Sequence, residues 1–300
     1  MSTDPTGHRF TLTRGTVTAE VAQVGAALRA LTVDGTDLAP RYSDDSPTPA
    51  ASGVVLVPWP NRIRDGIWDD EGTVRRLAIS EPALGNASHG LLRFGAYTAD
   101  AAPTDTLTLR ADVFPQTGYP YHLATAVTFT LTDRGLHIAH VVQNVGSGAA
   151  PVALGVHPYL QIGGVPTADL VIRSSGTRRL VLDERSLPID ERDVDEATDL
   201  RGGRRLGDLS LDTAYRGLDR GADGRIRHTL TAPDGRILTL WQGEGFDWAQ
   251  VFTTDRYPGQ PLAVAVEPMT APADAFNSGV GLRRLAPGEE WSLEWGVELA

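Results

Sequence analysis

Apolar and polar residues alternate with a period of two along much of this 300-residue chain, and that period constrains the fold more than any other feature. Arg9–Arg14 (RFTLTR), Thr106–Val113 (TLTLRADV), His122–Thr132 (HLATAVTFTLT), Leu136–Gln143 (LHIAHVVQ) and Ile226–Thr231 (IRHTLT) all read this way. Successive side chains on a strand point to opposite faces, so each run can bury one face of a sheet and wet the other. Turn chemistry falls between the runs. Asp234-Gly235 divides Ile226–Gln242 into two strand-like halves, and the dipeptide tolerates the positive φ angles of a type I′ hairpin turn. Val33-Asp34-Gly35 and Asp133-Arg134-Gly135 repeat the signal more loosely. The 32 glycines and 20 prolines exceed their usual combined share of about 12%, which favours turns over long helices. No alternation of strands with helical patterns appears, so a parallel α/β sheet is disfavoured. The expected fold is mostly β, a large antiparallel β-sandwich.

Neither an internal repeat nor a low-complexity linker interrupts the pattern, and residues 1–300 are expected to form one domain. The stretch 183–207 is rich in charge and poor in large apolar residues. It reads as a solvated excursion from the sandwich, with a substrate lid as the lesser alternative. MSTDPTGHRF lacks the basic and apolar regions of a signal peptide, and no apolar run is long enough to span a bilayer. With cysteine also absent, a cytoplasmic location is expected.

The missing residue types narrow the chemistry. All 27 basic residues are arginines, and there is no cysteine. Lysine Schiff bases, P-loop lysines, thiol nucleophiles and thiolate metal sites are thereby excluded. A formal charge of −11 argues against nucleic-acid or anionic-membrane partners, because a phosphate-binding face needs positive potential. Carboxylate, imidazole and guanidinium remain.

Three segments crowd rigid or polar residues into turns. In Val57-Pro58-Trp59-Pro60-Asn61-Arg62-Ile63, two prolines fix φ and then present an amide and a guanidinium. In Ser88-His89-Gly90-Leu91-Leu92-Arg93-Phe94, a glycine beside a histidine permits close backbone or ligand approach. In Leu154-Gly155-Val156-His157-Pro158-Tyr159, proline forces His157 into an extended conformation. Near the C-terminus, Leu262–Val266 is an apolar strand that ends in Glu267-Pro268. A carboxylate held there would be partly desolvated, raising its pKa toward that of a useful base. Read alone, each segment also has a structural explanation: a stiff corner, a satisfied buried histidine, a glutamate paired with an arginine. His122, His137, His140 and His228 sit within alternating strands and keep that structural reading.

Taken in order, PWPNRI, HGLLRF, GVHPYL, DTAY (Asp212 to Tyr215), VEPMTAPADAFN and the closing PGEEWSLEW resemble the aldose 1-epimerase, or galactose mutarotase, family over most of the chain. The resemblance implies a galactose mutarotase-like antiparallel β-sandwich with an open sugar-binding cleft on its concave face. It implies Glu267 as general base, His157 as general acid, and His89, Arg62 and Asp212 as residues that hold the sugar. Asn277, in the ADAFN tail, is placed in the same cleft. Trp59 is expected to be a sugar platform, because it adjoins Arg62 and an indole face can pack on a pyranose.

The implied reaction interconverts the α and β anomers of a free aldohexose by acid–base ring opening and closure, and needs neither metal nor cofactor. The expected partner is a small-molecule sugar, and the expected state a monomer or homodimer. Two alternatives remain within carbohydrate chemistry. Arginine suits oxyanion recognition, which raises an epimerase for a charged hexose, such as a hexose 6-phosphate or a sulfonated hexose. No motif, however, places Arg64, Arg93 or the arginines of 173–185 in the cleft. A non-catalytic carbohydrate-binding β-sandwich is the other, and a glycosidase using Asp212 and Glu267 is a more distant third.

Overall fold

A computed structural model of the chain describes residues 4–102 and 104–300. The opening Met1-Ser2-Thr3 of the segment read above as lacking a leader lies outside the described residues. Two large antiparallel sheets dominate. Among the described residues, one has nine strands, in the order Thr98–Ala99, Thr106–Val113, Leu123–Thr132, Gly135–Asn144, Glu290–Leu299, Ile237–Gln242, Ile226–Thr231, Val171–Arg173 and Arg204–Arg205. The other follows the order Pro188–Asp193, Arg178–Leu182, Asp212–Arg216, Trp248–Thr254, Ala263–Met269, Gly155–Val156 and Val55–Leu56, and Tyr159–Leu160 pairs with Ala263–Met269 beside this path. A four-stranded sheet from Arg9 to Asp37 completes the main framework. No helix among the described residues is long and apolar enough to cross a membrane.

The period-two runs do what their pattern predicts. Along Gly135–Asn144 the inward Leu136, Ile138 and Val142 are buried and alternate with half-buried residues. They join Leu109, Phe129 and Val297 of the same sheet, and Val251, Val264 and Val266 of the eight-stranded sheet, in one apolar cluster. The core lies where the two sheets meet. Burying this surface is worth about 25 cal/mol per Å² of apolar area, so residues with the wrong phase are costly.

Two turns show how local chemistry decides geometry. Asp34 and Gly35 take φ of 49° and 76° and join Val33 to Thr36, which are register partners, in a tight two-residue hairpin of the type I′ class. The Asp234-Gly235 turn departs from the expected I′ form. Here Gly235 N–H donates to Ala232 C=O at 3.0 Å and Ala232 N–H to Arg236 C=O at 2.9 Å, and only Gly235 has positive φ, 92°. Pro233 locks the first central residue of the turn at negative φ, which selects a three-residue loop closed by a left-handed glycine.

The 183–207 stretch is more integrated than a solvated excursion. Pro188–Asp193 is an edge strand on Arg178–Leu182, and Leu187, Leu200 and Leu206 are buried. Its turn is docked. Arg185 donates to Leu84 C=O at 2.9 Å and Gly85 C=O at 3.1 Å, and its guanidinium lies 2.8 Å from Asp65 Oδ1.

Ala263–Met269 is buried along all seven positions, as a strand covered on both faces must be. Alternation sends Val264 and Val266 into the main core. Ala263 and Ala265 face the other way, into a cluster with Tyr159 and Tyr257, and Glu267 shares their phase.

Candidate active site

Three neighbouring strands form the floor of a cavity of about 180 Å³. Glu267 on Ala263–Met269 is the register partner of Gln250 on Trp248–Thr254, and Phe252 on that strand partners Asp212 at the start of Asp212–Arg216. Because residues i and i+2 share a face, Gln250, Phe252, Asp212 and Glu267 all line the same space. Gln250 ties the floor together, donating its amide to Asp212 Oδ1 at 2.5 Å.

His157 and Tyr159 come from the segment that bends around Pro158, and both line the cavity. The His157 backbone is held at both ends, its N–H donating to Val54 C=O at 3.2 Å and its C=O accepting from Gly53 N–H at 2.8 Å. Its ring stacks on Tyr159 with centroids 5.3 Å apart. The result is a direct contact of 3.2 Å between His157 Nε2 and Glu267 Oε1. These two residues are only 6% and 2% exposed, so water screens the contact little.

The opposite wall comes from Arg62–Arg64 paired with Asn86–Ser88. Asn61 enters it with φ of 54° and accepts the His89 N–H at 2.8 Å. His89 itself has φ of 65°, and Gly90 follows at 75°. A Cβ on Gly90 would stand 2.3 Å from Val57 C=O, so the glycine is needed for the close approach of the proline-rich corner. The two histidine rings meet edge to face, 5.4 Å between centroids. Arg62 is gripped by Glu81 through Nε–Oε2 at 2.8 Å and Nη2–Oε1 at 2.9 Å, a two-pronged geometry that a guanidinium matches well.

Burial sets the protonation of the site. It pushes the Glu267 carboxyl well above the usual range, with Asp212 adding to the rise and Arg62 opposing it. It lowers the His157 imidazole to about 3, with Arg93 and Arg62 adding to the fall, and depresses His89 strongly for the same reason, helped by His157 and the two arginines. Burial therefore works against the charged form of both partners, raising the proton affinity of Glu267 and lowering that of His157. Several polar atoms here have no hydrogen-bond partner among the described residues: His89 Nδ1, His157 Nδ1, the Tyr159 hydroxyl and Arg93 Nε. Buried polar groups are ordinarily satisfied, so such a set suits a ligand rich in hydroxyls.

Of the residues singled out from sequence, the cavity brings together Arg62, His89, His157, Asp212 and Glu267. It does not include Trp59 or Asn277. Trp59 is 2% exposed and packs edge-on against Phe276 at 5.5 Å, because the corner that presents Arg62 outward turns the neighbouring indole into the core. Asn277 is exposed and donates to Ile67 C=O at 2.9 Å and Asp274 Oδ1 at 2.8 Å. Asp274 in turn accepts the Arg64 N–H at 3.0 Å, so Asn277 braces the strand behind Arg62. No residue of 183–207 lines the cavity.

Sequence reading missed Glu81, Arg93, Tyr159 and Gln250, all of which line it. Gln250 had a signal, an amide in the apolar run Trp248–Phe252, and Tyr159 lay two residues beyond His157. Glu81, in a turn-rich polar stretch, had none.

Comparison with known proteins identifies the family and the fold. A family model described as aldose 1-epimerase matches residues 8–297. The protein YihR of Escherichia coli (strain K12), itself uncharacterized, is 30% identical over 293 residues, covering 97% of this chain and 93% of its own. Among solved structures, a putative aldose 1-epimerase from E. coli K12 superposes with a TM-score of 0.83 at 20% identity, covering 98% of this chain and 99% of that one. A GalM/aldose epimerase homologue from C. elegans gives 0.83 at 17% identity, with 98% of each chain covered. The galactose 1-epimerase of Lactobacillus acidophilus NCFM gives 0.78 at 17% identity, covering 96% of this chain and 92% of that one.

Proposed function

The chain belongs to the aldose 1-epimerase family, and on that premise we propose that it interconverts the α and β anomers of an aldohexose by acid–base ring opening. The observation that carries this reading is the 3.2 Å contact between His157 Nε2 and Glu267 Oε1 inside a polar cavity. The two oxygens that must exchange protons, O1 and the ring oxygen O5, are bonded to one carbon. A base and an acid side by side are what such a pair of oxygens needs.

In the forward direction Glu267 takes the proton from the O1 hydroxyl. The O1 electrons form the carbonyl, the C1–O5 bond breaks, and its electron pair leaves on O5, which takes a proton from His157. Rotation about C1–C2 presents the other face of the aldehyde, and the reverse transfers close the ring. The pair starts with its one proton on His157 and ends with it on Glu267, so the total is conserved. Burial favours the second distribution, which accompanies the open aldehyde. Each positioned transfer contributes about 10²–10⁴-fold. Arg62, His89 and Asp212 hold hydroxyls so that the open form does not escape before closure.

The test is anomer exchange of freshly dissolved sugar, followed by polarimetry or NMR, with wild type, Glu267→Gln and His157→Asn. A loss of about 10²-fold or more is expected for each variant. Undiminished rates in both would overturn the assignment.

A further inference from the structure

Arginine is the chain's only strongly basic side chain, and around the cavity the chain's own carboxylates hold it. Arg62 is gripped by Glu81, and Arg64 by Asp183 and Asp274. Arg93 is different. It is half-buried, it lines the cavity beside His89 and His157, and its Nε has no hydrogen-bond partner among the described residues. Among the described residues it has no carboxylate at ion-pair distance; its guanidinium lies instead over the Phe94 ring, 5.0 Å from the centroid. A desolvated guanidinium without a counterion is costly, and burial lowers its pKa even though Glu81 works against this. A flat guanidinium of this kind suits a planar or tetrahedral oxyanion, which it can engage with two parallel hydrogen bonds.

Its position bears on where such a group would sit. A Cβ on Gly25 would stand 2.9 Å from both Arg93 C=O and Val54 Cγ1, so Arg93 packs beside Val54, whose C=O accepts the His157 N–H at 3.2 Å, whereas Glu267 comes from the floor strand Ala263–Met269. Arg93 thus stands on the histidine side of the site. In the reading above, His157 serves the ring oxygen and Glu267 serves O1. The ring oxygen is bonded to C5, and C5 carries C6, so C6 also lies on the histidine side.

We propose that the preferred substrate is a hexose bearing an oxyanion at C6, and that Arg93 is the specificity residue that receives it. Phosphate, sulfonate and carboxylate share this chemistry. The inference rests on the mutarotase reading and gives that site its substrate class.

The experiment measures anomer exchange by NMR with four sugars: glucose, glucose 6-phosphate, 6-deoxy-6-sulfoglucose and glucuronate. Wild type is expected to show at least a tenfold higher kcat/KM for one of the three anionic sugars than for glucose, and which one identifies the oxyanion. In Arg93→Gln the ratio of anionic to neutral kcat/KM should fall about 10- to 100-fold, the span of a hydrogen bond to a charged group. Arg93→Lys, which keeps the charge without the fork, should recover part of that ratio. A purely structural arginine would lower both substrates together, and the ratio would stay put. Preference for glucose over all three anions, or an unchanged ratio in Arg93→Gln, would overturn the inference while leaving the mutarotase reading standing. Acceleration of none of the four would sink that reading, and the inference with it.

Discussion

Glu81 takes hold of Arg62 through both of its oxygens, at 2.8 Å and 2.9 Å, and so aims a guanidinium that would otherwise swing on a flexible stem. Glu81→Gln keeps the shape and removes the charge. The expected result is a rise in KM of about tenfold for the sugar, the cost of weakening one charge-assisted hydrogen bond, with a smaller change in kcat. Steady-state anomer exchange checks this, and an unchanged KM would mean that Arg62 does not depend on Glu81 for its position.

The pH–rate profile should show no inflection belonging to the His157 imidazole near 6.5, where a free imidazole titrates. Burial holds His157 down, to about 3, and raises Glu267 above the ordinary carboxylate range. Glu267 must be ionised to take the O1 proton, so activity should fall as pH drops through its raised pKa, at a pH above the ordinary carboxylate range. A clear inflection between pH 6 and 7 that disappears in His157→Asn would contradict this.

Acid should destabilise the fold through two histidines outside the site. His228 is buried between Ser174 Oγ at 2.9 Å and Gln242 Oε1 at 3.2 Å, with its pKa lowered to about 4 by burial. His140 accepts from the Trp295 indole N–H at 2.9 Å, and burial lowers it to about 3. Both stay neutral in the fold while the unfolded chain protonates near 6.5. As pH drops below 6.5 the unfolded state binds more protons, so stability is lost until the folded pKa values are reached. Two groups give a slope of about 2–3 kcal/mol per pH unit between pH 4 and 6. Denaturant unfolding at pH 7.5 and pH 5 reads it directly, and His228→Gln should make the dependence shallower.

Trp59→Phe separates the core from the site. Since the indole packs on Phe276 and does not line the cavity, the substitution should lower the melting temperature and leave KM as it was. A tenfold increase in KM at unchanged melting temperature would restore the indole as a sugar platform.

The β architecture was legible because alternation is a local property. Leu123–Thr132 and Gly135–Asn144 carry their inward and outward phases in their own residues, whatever they pair with. His157 before proline, His89 before glycine and Glu267 at the end of an apolar strand also stand out locally, since each sits in a backbone context that restricts it. Trp59 and Asn277 misled because nearness in sequence does not set direction. Between Trp59 and Arg62 the chain turns through Pro60 and a left-handed Asn61, which sends one side chain inward and the other to the cavity.

The sequence by itself determined the sheet-forming runs, the turn positions and the kinds of acid, base and cation at hand, because propensity, periodicity and side-chain chemistry act over a few residues. Only the tertiary structure decided which of them meet. Glu267 reaches His157 from 110 positions away, and Gln250 reaches Asp212 from 38, through strand registers that no local pattern encodes. Burial, which raises Glu267 and lowers His157, is likewise a property of the assembled sheets. The same side chains on an extended chain would titrate in water as ordinary acids and bases.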